Sequence, residues 1–343
     1  MTSTTPDPSV TPDSGRPGTP EVLVVGAGIA GIACARALRE AGVPVRVVDR
    51  GRRPGGRMSG RTLHGRVVDL GAAYFTVPDG SAFTDVVAGW ERSGLARPWT
   101  DTLAVLGPGE RAATVSTTSG PMRYAARRGL RSLVVDLADG LEIEHEIDVT
   151  HVDEDGTVHA SGADTAHYDT VVLAMPEPQA ARLLPPISPL LARLDAAAWE
   201  PALAVVLGFA EHVWPADLHG AFIDGSPTLA FLADDGDRRG DGAPVLVAHT
   251  TAAFAARHLD APADAVDAVI AEVGALLDLR PAARPSWTHA HRWTYARSAT
   301  THPEPFAVQD HLGVCGDVWG GRSSVATAWA SGTALGRALA ERR

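Results

Sequence analysis

The apolar and polar positions between residues 21 and 58 predict a strand, a helix and a second strand. Residues 22–25 form a continuous apolar run of the kind found in strands that are buried on both faces. An alanine-rich helical segment then extends to about residue 41 and ends at Gly42. Residues 45–48 predict the second strand, which closes with Asp49. This order is typical of a parallel α/β unit.

Three glycines at the start of the predicted helix match the spacing G-x-G-x-x-G. Gly26 permits a tight turn, Gly28 lets backbone N–H groups approach a pyrophosphate, and Gly31 lets the helix pack closely on the strand. The helix N-terminus adds free N–H groups and a partial positive charge. Asp49, eighteen residues after Gly31, stands where a carboxylate can accept hydrogen bonds from ribose hydroxyls. Because all these features occur together, they predict a dinucleotide site rather than the alternative, a glycine-rich turn without a ligand.

A second glycine pair, Gly55-Gly56, is followed by Arg57 and Met58 and begins six residues after the acid. Such a segment would bring backbone and a guanidinium over the phosphates and the flavin end of a dinucleotide. It resembles the corresponding segment of the FAD-containing amine-oxidase superfamily, which NAD-only dehydrogenases usually lack. The alternative is a basic, solvated loop, since Arg50 and two further arginines lie close by.

The segment DLGAAYFT, residues 69–76, makes the resemblance more specific. Together with the preceding GGRM, it resembles renalase and its bacterial relatives, which are small flavoproteins of the same superfamily. The resemblance implies that this loop lies along the flavin, with Gly71, Ala72 and Ala73 lending backbone close to the ring. It also makes Tyr74 a candidate catalytic residue. The alternative is a strand and turn of small residues with Tyr74 and Phe75 in the core.

A second FAD signature lies near the C-terminus. A strand that ends in Gly316-Asp317 is followed by a loop of small residues and an alanine-rich helix that begins near Val325. The resemblance implies that this turn bonds the ribityl chain and the pyrophosphate. The helix, starting with Val325 and Ala326, would aim its positive end at flavin N1 and O2. It also implies that the backbone near Val149 meets the adenine.

Aromatic residues and histidines alternate with other residues from 287 to 295. If this segment is a strand, Trp287, His289, His291, Trp293 and Tyr295 share one face. Aromatic walls suit a planar substrate that must approach flavin N5. The segment HRWTYA is similar to one in renalase-like proteins, which implies a substrate-binding role for Trp293. Aromatic packing between the lobes is the alternative. No third metal ligand lies near the two histidines, so no metal site is expected.

The candidate site therefore contains twenty expected FAD contacts and three expected catalytic residues. The expected FAD contacts are Gly26, Ala27, Gly28, Ile29, Ala30, Gly31, Asp49, Arg50, Gly55, Gly56, Arg57, Met58, Gly71, Ala72, Ala73, Val149, Gly316, Asp317, Val325 and Ala326. The expected catalytic residues are Trp293, Tyr295 and Tyr74. No cysteine-containing attachment segment of the type SGGCY precedes Gly316, so the FAD is expected to be bound non-covalently.

Composition and charge narrow the classes of partner. The net charge is −11 and the chain contains no lysine, which argues against nucleic acid or an anionic membrane as partner. The two cysteines, Cys34 and Cys315, are far apart and fit a reduced, cytoplasmic compartment. Residues 1–19 are rich in Pro, Ser, Thr and Gly and are expected to be disordered. The longest apolar run, residues 202–210, is too short to span a bilayer.

The expected fold class is α/β, with a discontinuous Rossmann-type FAD-binding domain like that of p-hydroxybenzoate hydroxylase and a smaller substrate domain of sheet and helix. The FAD domain is expected to comprise residues 20–80, 121–178 and 296–343, and the substrate domain residues 81–120 and 179–295. Residues 121–138 are interpreted as an interrupted helix, residues 141–149 as one half-buried strand, and residues 234–241 as an acidic loop.

By resemblance, the expected function is hydride transfer from a small substrate to flavin N5, with O2 as reoxidant and hydrogen peroxide as product. The leading substrate class is isomeric dihydro-NAD(P). Amine oxidases and natural-product desaturases of the same superfamily are alternatives, and a non-catalytic flavin-binding sensor is another. The absence of lysine argues against a typical amine oxidase, because those enzymes place a lysine, through a water, against flavin N5.

Overall fold

The structure is a computed structural model that describes residues 22–108, 116–162 and 164–342; the segment expected to be disordered, residues 1–19, lies outside them. The strands are β1 (Val22–Val25), β2 (Val45–Asp49), β3 (Gly60–Leu63), β4 (Arg66–Asp69), β5 (Phe75–Thr76), β6 (Ala96–Leu106), β7 (Ser116–Ala126), β8 (Ile143–His145), β9 (Val149–Val152), β10 (Thr157–Ala160), β11 (Ala166–His167), β12 (Thr170–Leu173), β13 (Trp199–Gly208), β14 (Gly220–Ile223), β15 (Leu229–Asp234), β16 (Val245–Thr250), β17 (Trp287–Ser298), β18 (Ala307–Gln309) and β19 (Leu312–Val314). The α-helices are α1 (Ile29–Glu40), α2 (Phe83–Arg92), α3 (Arg131–Leu137), α4 (Glu177–Leu183), α5 (Asp235–Arg239), α6 (Ala252–Arg257), α7 (Val266–Leu276) and α8 (Val325–Glu341).

A six-stranded sheet forms the first layer, in the order β18-β19-β12-β1-β2-β8. Its strands are parallel except for β18, and β1 lies between β12 and β2, which confirms the predicted parallel α/β unit. Parallel strands end at the same edge of a sheet, and ligands of such folds bind beyond that edge. Here the carboxyl ends of β1, β2 and β19 lead directly to Gly26, Asp49 and Gly316. The fold thus brings the first and last glycine motifs together.

Helices α1 and α8 pack against each other at very close range. A Cβ added at Gly332 would lie 1.9 Å from the carbonyl oxygen of Ala30, and one added at Gly336 would lie 2.5 Å from that of Cys34. The two glycines are four residues apart on α8 and therefore share one face of the helix. The contact depends on the absence of side chains at both positions.

The second large sheet has eight strands in the order β17-β13-β16-β15-β14-β6-β7-β5. One face packs on α7 through an apolar cluster that includes Leu203, Leu246 and Val269. The opposite face carries Val247, Phe231 and Trp293 and packs against the segment from Val68 to Tyr74. This arrangement places the eight-stranded sheet against the loop of residues 69–76, which by resemblance is expected to lie along the flavin.

Several expected elements differ in the structure. Residues 121–138 are not an interrupted helix, because residues 116–126 form β7 and only the part from Arg131 is helical. Residues 141–149 form two strands in separate sheets, because Glu146 has a φ of +61° that breaks the extended backbone. Strand β7 joins the eight-stranded sheet, although the expected division assigned residues 121–126 to the FAD domain. The domain limits therefore stay a prediction.

Residues 234–241 are not simply a loop. Asp234 caps α5 by accepting a hydrogen bond from the Asp237 N–H at 2.9 Å, and Gly240 ends the helix with a φ of +74°. An aspartate before the first helical residue and a glycine after the last one are signals of a helix. The sequence analysis nevertheless interpreted this charged segment as a loop. Within the described residues, no helix is long and apolar enough to cross a membrane, and no cluster of His, Cys, Asp and Glu fits a metal ion.

Candidate active site

The turn between β1 and α1 is built so that only glycine fits. Gly26 has a φ of +113°, and a Cβ there would lie 2.5 Å from the carbonyl oxygen of Ala174. A Cβ at Gly31 would lie 2.0 Å from the carbonyl oxygen of Gly26. Helix α1 starts at Ile29 and Ala30, and no side chain caps its N-terminus at Gly28. Its first N–H groups are therefore available to an anion.

Gly28 of the first glycine motif faces Gly56 of the second glycine pair. A Cβ on Gly56 would lie 3.2 Å from the Cα of Gly28, and one on Gly28 would lie 3.9 Å from the Cα of Gly56. The Gly55 N–H donates to the carbonyl oxygen of Ala27 at 2.9 Å, which holds the two turns together. Met58, next to this pair, is buried in the core under α1. The result is a backbone-lined cleft of the kind that a pyrophosphate requires.

Asp49 has a structural role that its sequence position did not indicate. Its carboxylate accepts hydrogen bonds from the N–H groups of Ala27 at 2.7 Å and Gly51 at 2.6 Å. Each carboxylate oxygen has a second lone pair, so the expected contact to a ribose remains possible. Val149 is buried two residues after Ile147, whose N–H donates to the Asp49 carbonyl at 3.1 Å.

Arg50 directly follows the last residue of β2. Its side chain is exposed to solvent, whereas Val48, two residues earlier, is buried. An exposed guanidinium next to a nucleotide cleft can pair with phosphate only from the solvent side. Its expected FAD contact therefore stays a prediction.

Arg57 connects three parts of the chain. Its Nη1 donates to the Asp317 carboxylate at 3.0 Å and to the Ala296 carbonyl at 3.3 Å, while Nη2 donates to the other Asp317 oxygen at 2.5 Å. The guanidinium carbon also lies 5.0 Å from the ring centre of Trp199. Burial by itself would raise the pKa of Asp317, but the Arg57 guanidinium and the Ser323 hydroxyl outweigh it, so the pKa lies below its ordinary value. Asp317 is therefore an ionised partner that fixes Arg57 bidentately.

The small-residue loop packs directly on the Arg57 backbone. The Ala72 N–H donates to the Arg57 carbonyl at 2.9 Å, and a Cβ at Gly71 would lie 1.9 Å from that oxygen. From the sheet side, the indole Nε1 of Trp293 donates to the Leu70 carbonyl at 2.7 Å. Thus the structure brings the second glycine pair, the loop, Asp317 and Trp293 together.

The C-terminal motif is ordered by its own hydrogen bonds. The Gly316 N–H donates to the Ser331 hydroxyl at 3.0 Å. Ser324 caps α8 by accepting from the Thr327 N–H at 3.0 Å, so Val325 and Ala326 form the first turn. The N-terminus of this 17-residue helix begins a few residues after Asp317.

A hydrogen-bonded pair that the sequence analysis missed, half-buried His302 and buried Glu177, supports this turn. Glu177, which is 1% exposed, lies 2.7 Å from the Nε2 of His302. The His302 ring stacks on the Trp319 ring, with centroids 3.8 Å apart. The His302 N–H donates to the Val318 carbonyl, and the His302 carbonyl accepts from the N–H groups of Gly320 and Gly321. Because 125 positions separate the two residues, no local pattern could have indicated the pair.

These residues fit FAD. The cleft between Gly28 and Gly56 would be filled by side chains at either position, and α1 offers uncapped N–H groups for phosphates. The residues that would hold the remainder of the cofactor are the backbone of Gly71–Ala73, the Gly316–Asp317 turn and the start of α8. The non-covalent mode of FAD binding stays a prediction.

Opposite the loop, aromatic and histidine side chains form a row across the eight-stranded sheet. Consecutive register partners from β14 to β17 are Phe222, Phe231, His249, Ala204 and His291. Directly opposed residues of antiparallel strands point to the same face. We call these five residues the sheet-side row.

Two of the expected catalytic residues adjoin this row. The ring of Trp293 lies 4.7 Å from that of His291, and the ring of Tyr74 lies 5.9 Å from that of Phe231. Tyr295 does not adjoin the row. The β13–β17 register shifts between Glu200 and Ala202, and Tyr295 lies in the stretch of β17 opposite this shift. Its ring instead stands 5.4 Å from the guanidinium carbon of Arg182.

The histidines of the row are uncharged at neutral pH. Burial lowers the pKa of His249 to about 4, helped by the nearby Arg238. Burial likewise lowers the pKa of His291 to about 4, with Arg61, His289 and Arg292 adding to the effect. The row is therefore an apolar and neutral surface.

Comparison with known proteins agrees with this architecture. A family model described as NAD(P)-binding Rossmann-like domain matches residues 24–90, and one described as flavin containing amine oxidoreductase matches residues 91–314. The phytoene desaturase (neurosporene-forming) of Rhodobacter capsulatus is 48% identical over 62 residues, which are 18% of this chain and only 12% of the desaturase.

Two solved structures share the fold over nearly the whole chain. A putrescine oxidase variant superposes with a TM-score of 0.75 at 16% identity, covering 94% of this chain and 99% of its own. Cyclohexylamine oxidase from Brevibacterium oxydans superposes with a TM-score of 0.74 at 15% identity, covering 95% and 99%. At such identities the likeness establishes the fold, while the second family model spans well over half of the sequence. The chain therefore belongs to the flavin-containing amine oxidoreductase family and is an FAD-dependent oxidoreductase.

Proposed function

We propose that this oxidoreductase is an oxidase of a small planar substrate, with isomeric dihydro-NAD(P) as the leading class. The observation that carries the proposal is the sheet-side row, which sets Phe231 and His249 opposite the loop from Leu70 to Tyr74. Flat side chains of this kind can stack on a planar ring, and the row contains no carboxylate that would pair with an alkylammonium group.

When bound, FAD supplies a two-electron acceptor for the hydride of a substrate C–H bond, and O2 takes up those electrons with two protons to give hydrogen peroxide. The chain's own residues orient the substrate. Trp293 is held by its bond to the Leu70 carbonyl, and Tyr74 packs against Phe231, so both rings have fixed positions. Hydride transfer depends chiefly on such orientation, which agrees with a row whose two histidines, each with a pKa of about 4, are weak bases.

Amine oxidation is the second candidate. It is favoured by the fold shared with putrescine oxidase and cyclohexylamine oxidase, although both are below 17% identical. The sheet-side row and the lysine-free sequence weigh against it, since the row contains no carboxylate for an ammonium ion.

The test is anaerobic stopped-flow of the FAD-loaded protein, following flavin absorbance after mixing with 2- and 6-dihydro-NAD(P) isomers or with a panel of primary amines. The proposal predicts rapid bleaching by the isomers alone, with peroxide formed when air is admitted. Bleaching by amines alone would replace it with amine oxidation. Bleaching by neither would remove both substrate classes.

A further inference from the structure

Arg123, on β7, is a buried cation without a carboxylate partner among the described residues. The residue is 6% exposed, its Nη1 donates only to the Asp101 carbonyl at 2.7 Å, and its Nε is buried without a partner. The Asp101 carboxylate instead accepts from the Thr102 hydroxyl at 2.8 Å. A buried guanidinium that bonds only neutral groups keeps most of its desolvation cost.

The position of this cation links it to the candidate active site. Its guanidinium carbon lies 5.4 Å from the ring centre of Tyr74 and 5.9 Å from that of Phe222. Phe222 begins the sheet-side row, and Tyr74 follows Ala73 in the loop assigned to the flavin. Aromatic faces hold a guanidinium through its plane and leave N–H groups at its edge for a ligand.

Among the described residues, the two buried acids beside the same loop pair with other arginines. The carboxylates of Asp69 and Asp235, the buried acids next to the same loop, are both engaged by Arg238 and Arg239. Arg238 in turn donates to the Ala73 carbonyl. The charge of Arg123 therefore attracts an anionic group and repels a cationic one.

We propose that Arg123 binds an anionic group of the substrate, a carboxylate or a phosphate, while the planar part lies along the sheet-side row. The assignment rests on the proposed oxidation of a planar substrate and adds a specificity-determining residue to it. A guanidinium fits either oxyanion bidentately, so the chemistry is shared by both.

The experiment uses the FAD-loaded protein and compounds that share a ring and differ in charge: benzoate, phenyl phosphate and benzylamine, titrated by calorimetry. Wild-type protein is expected to bind the tighter of the two anions at least about tenfold more tightly than benzylamine. The comparison of benzoate with phenyl phosphate then identifies the preferred oxyanion. If neither anion binds at millimolar concentration, or if benzylamine binds more tightly, the assignment is wrong.

The variant Arg123→Met is expected to lose at least about tenfold in anion affinity and to leave benzylamine unaffected or improved. Arg97→Met is the matched control, because Arg97 also lies in this sheet and its side chain likewise donates to backbone carbonyls, those of Asp237 and Arg238. Equal anion affinity in Arg123→Met and wild type overturns the assignment. If Arg123→Met fails to fold, Arg123→Lys, which keeps charge but loses the fork, must weaken anion binding for the assignment to stand.

The same variants separate this assignment from the proposed function. If Arg123→Met oxidises dihydro-NAD(P) isomers with an unchanged KM, the proposed role of Arg123 is wrong and the proposed substrate class stands. If anion binding depends on Arg123 but the protein does not oxidise these isomers, the role of Arg123 stands and the proposed substrate class is wrong.

Discussion

Arg57 is the residue through which the separate motifs of the flavin site are joined, because its guanidinium binds Asp317 and its carbonyl accepts from Ala72. Lysine can keep the charge but cannot form both hydrogen bonds to the carboxylate. Arg57→Lys should therefore weaken FAD binding by about tenfold or more, measured by titrating FAD into the deflavinated protein and following flavin fluorescence. Arg52→Lys is the control, since Arg52 forms an exposed ion pair with Glu146. Equal losses in the two variants would contradict the central role of Arg57.

His249 should make the stability of the protein depend on pH in the acid range. Its folded pKa of about 4 lies below the ordinary value of 6.5, so the unfolded chain binds a proton between these values and the folded chain does not. Stability therefore falls as pH falls through this window, by up to about 1.4 kcal/mol per pH unit. His249→Phe, which keeps a ring but cannot titrate, should reduce that slope in urea unfolding at pH 4 to 6.5. An unchanged slope would exclude His249 as the cause.

At the residue scale, the sequence predicted positions with local signatures and missed those formed by the fold. Gly26, Gly31 and Arg57 lie in motifs whose spacing carries their physical reason. Arg123 and Glu177 have no such signature, because their partners come from other strands and loops. Asp49 shows an intermediate case: its position was predicted, but its bonds to the backbone of Ala27 and Gly51 were not.

Among the elements, the packing of α1 on α8 gives the clearest steric prediction. Gly332→Ala would place a methyl group 1.9 Å from the Ala30 carbonyl oxygen, so the helices must move apart. We expect a loss of about 1–3 kcal/mol, measured as the free energy of unfolding in denaturant. Gly274→Ala is the control, because Gly274 lies in α7 with no atom within 4 Å of an added Cβ, and alanine there should stabilise by about 0.5–1 kcal/mol. Similar effects of both substitutions would mean that the interface tolerates a side chain.

Elements were predicted well where apolar periodicity or glycine spacing was strong, as for β1, α1, β2 and α8. Helix α5 was misread because charge was taken as a sign of solvent exposure, whereas Asp235 and Arg238 are both buried and paired. Strand β7 was misread because its polar residues match neither a strand nor a helix period, and pairing with β6 decides its structure. Tertiary contacts therefore determined the elements that local patterns could not.

At the scale of the whole molecule, a buried ionic cluster connects the two-stranded sheet of β3 and β4 to α5, which follows β15 of the eight-stranded sheet. Asp69, at the end of β4, accepts from Arg239 at 3.1 Å, while Asp235 of α5 binds Arg66, Arg238 and Arg239. Burial would raise the pKa of Asp235, but the three guanidiniums outweigh it and lower that pKa. The cluster thus contains an ionised carboxylate shared by three cations.

Removing this carboxylate should uncouple the eight-stranded sheet from the loop of the flavin site. Asp235→Ala leaves three arginines without their common partner, and Arg238 also holds the Ala73 carbonyl of that loop. Loss of one member of a buried ionic cluster costs about 3–5 kcal/mol, so we expect a lower melting temperature and release of FAD before the secondary structure melts. Circular dichroism and flavin fluorescence, recorded together during heating, measure both.

The control for this prediction is Asp241→Ala, which removes the other carboxylate bound to Arg66. That side chain is 46% exposed, so its ion pair should contribute less than about 1 kcal/mol. If Asp241→Ala lowers the melting temperature as much as Asp235→Ala, burial of the cluster is not what stabilises the contact between the sheets. If FAD leaves Asp235→Ala only after the secondary structure melts, the cluster stabilises the fold without supporting the flavin loop. Release of FAD before that point would instead show that the cluster holds Ala73 and its neighbours in place for the cofactor.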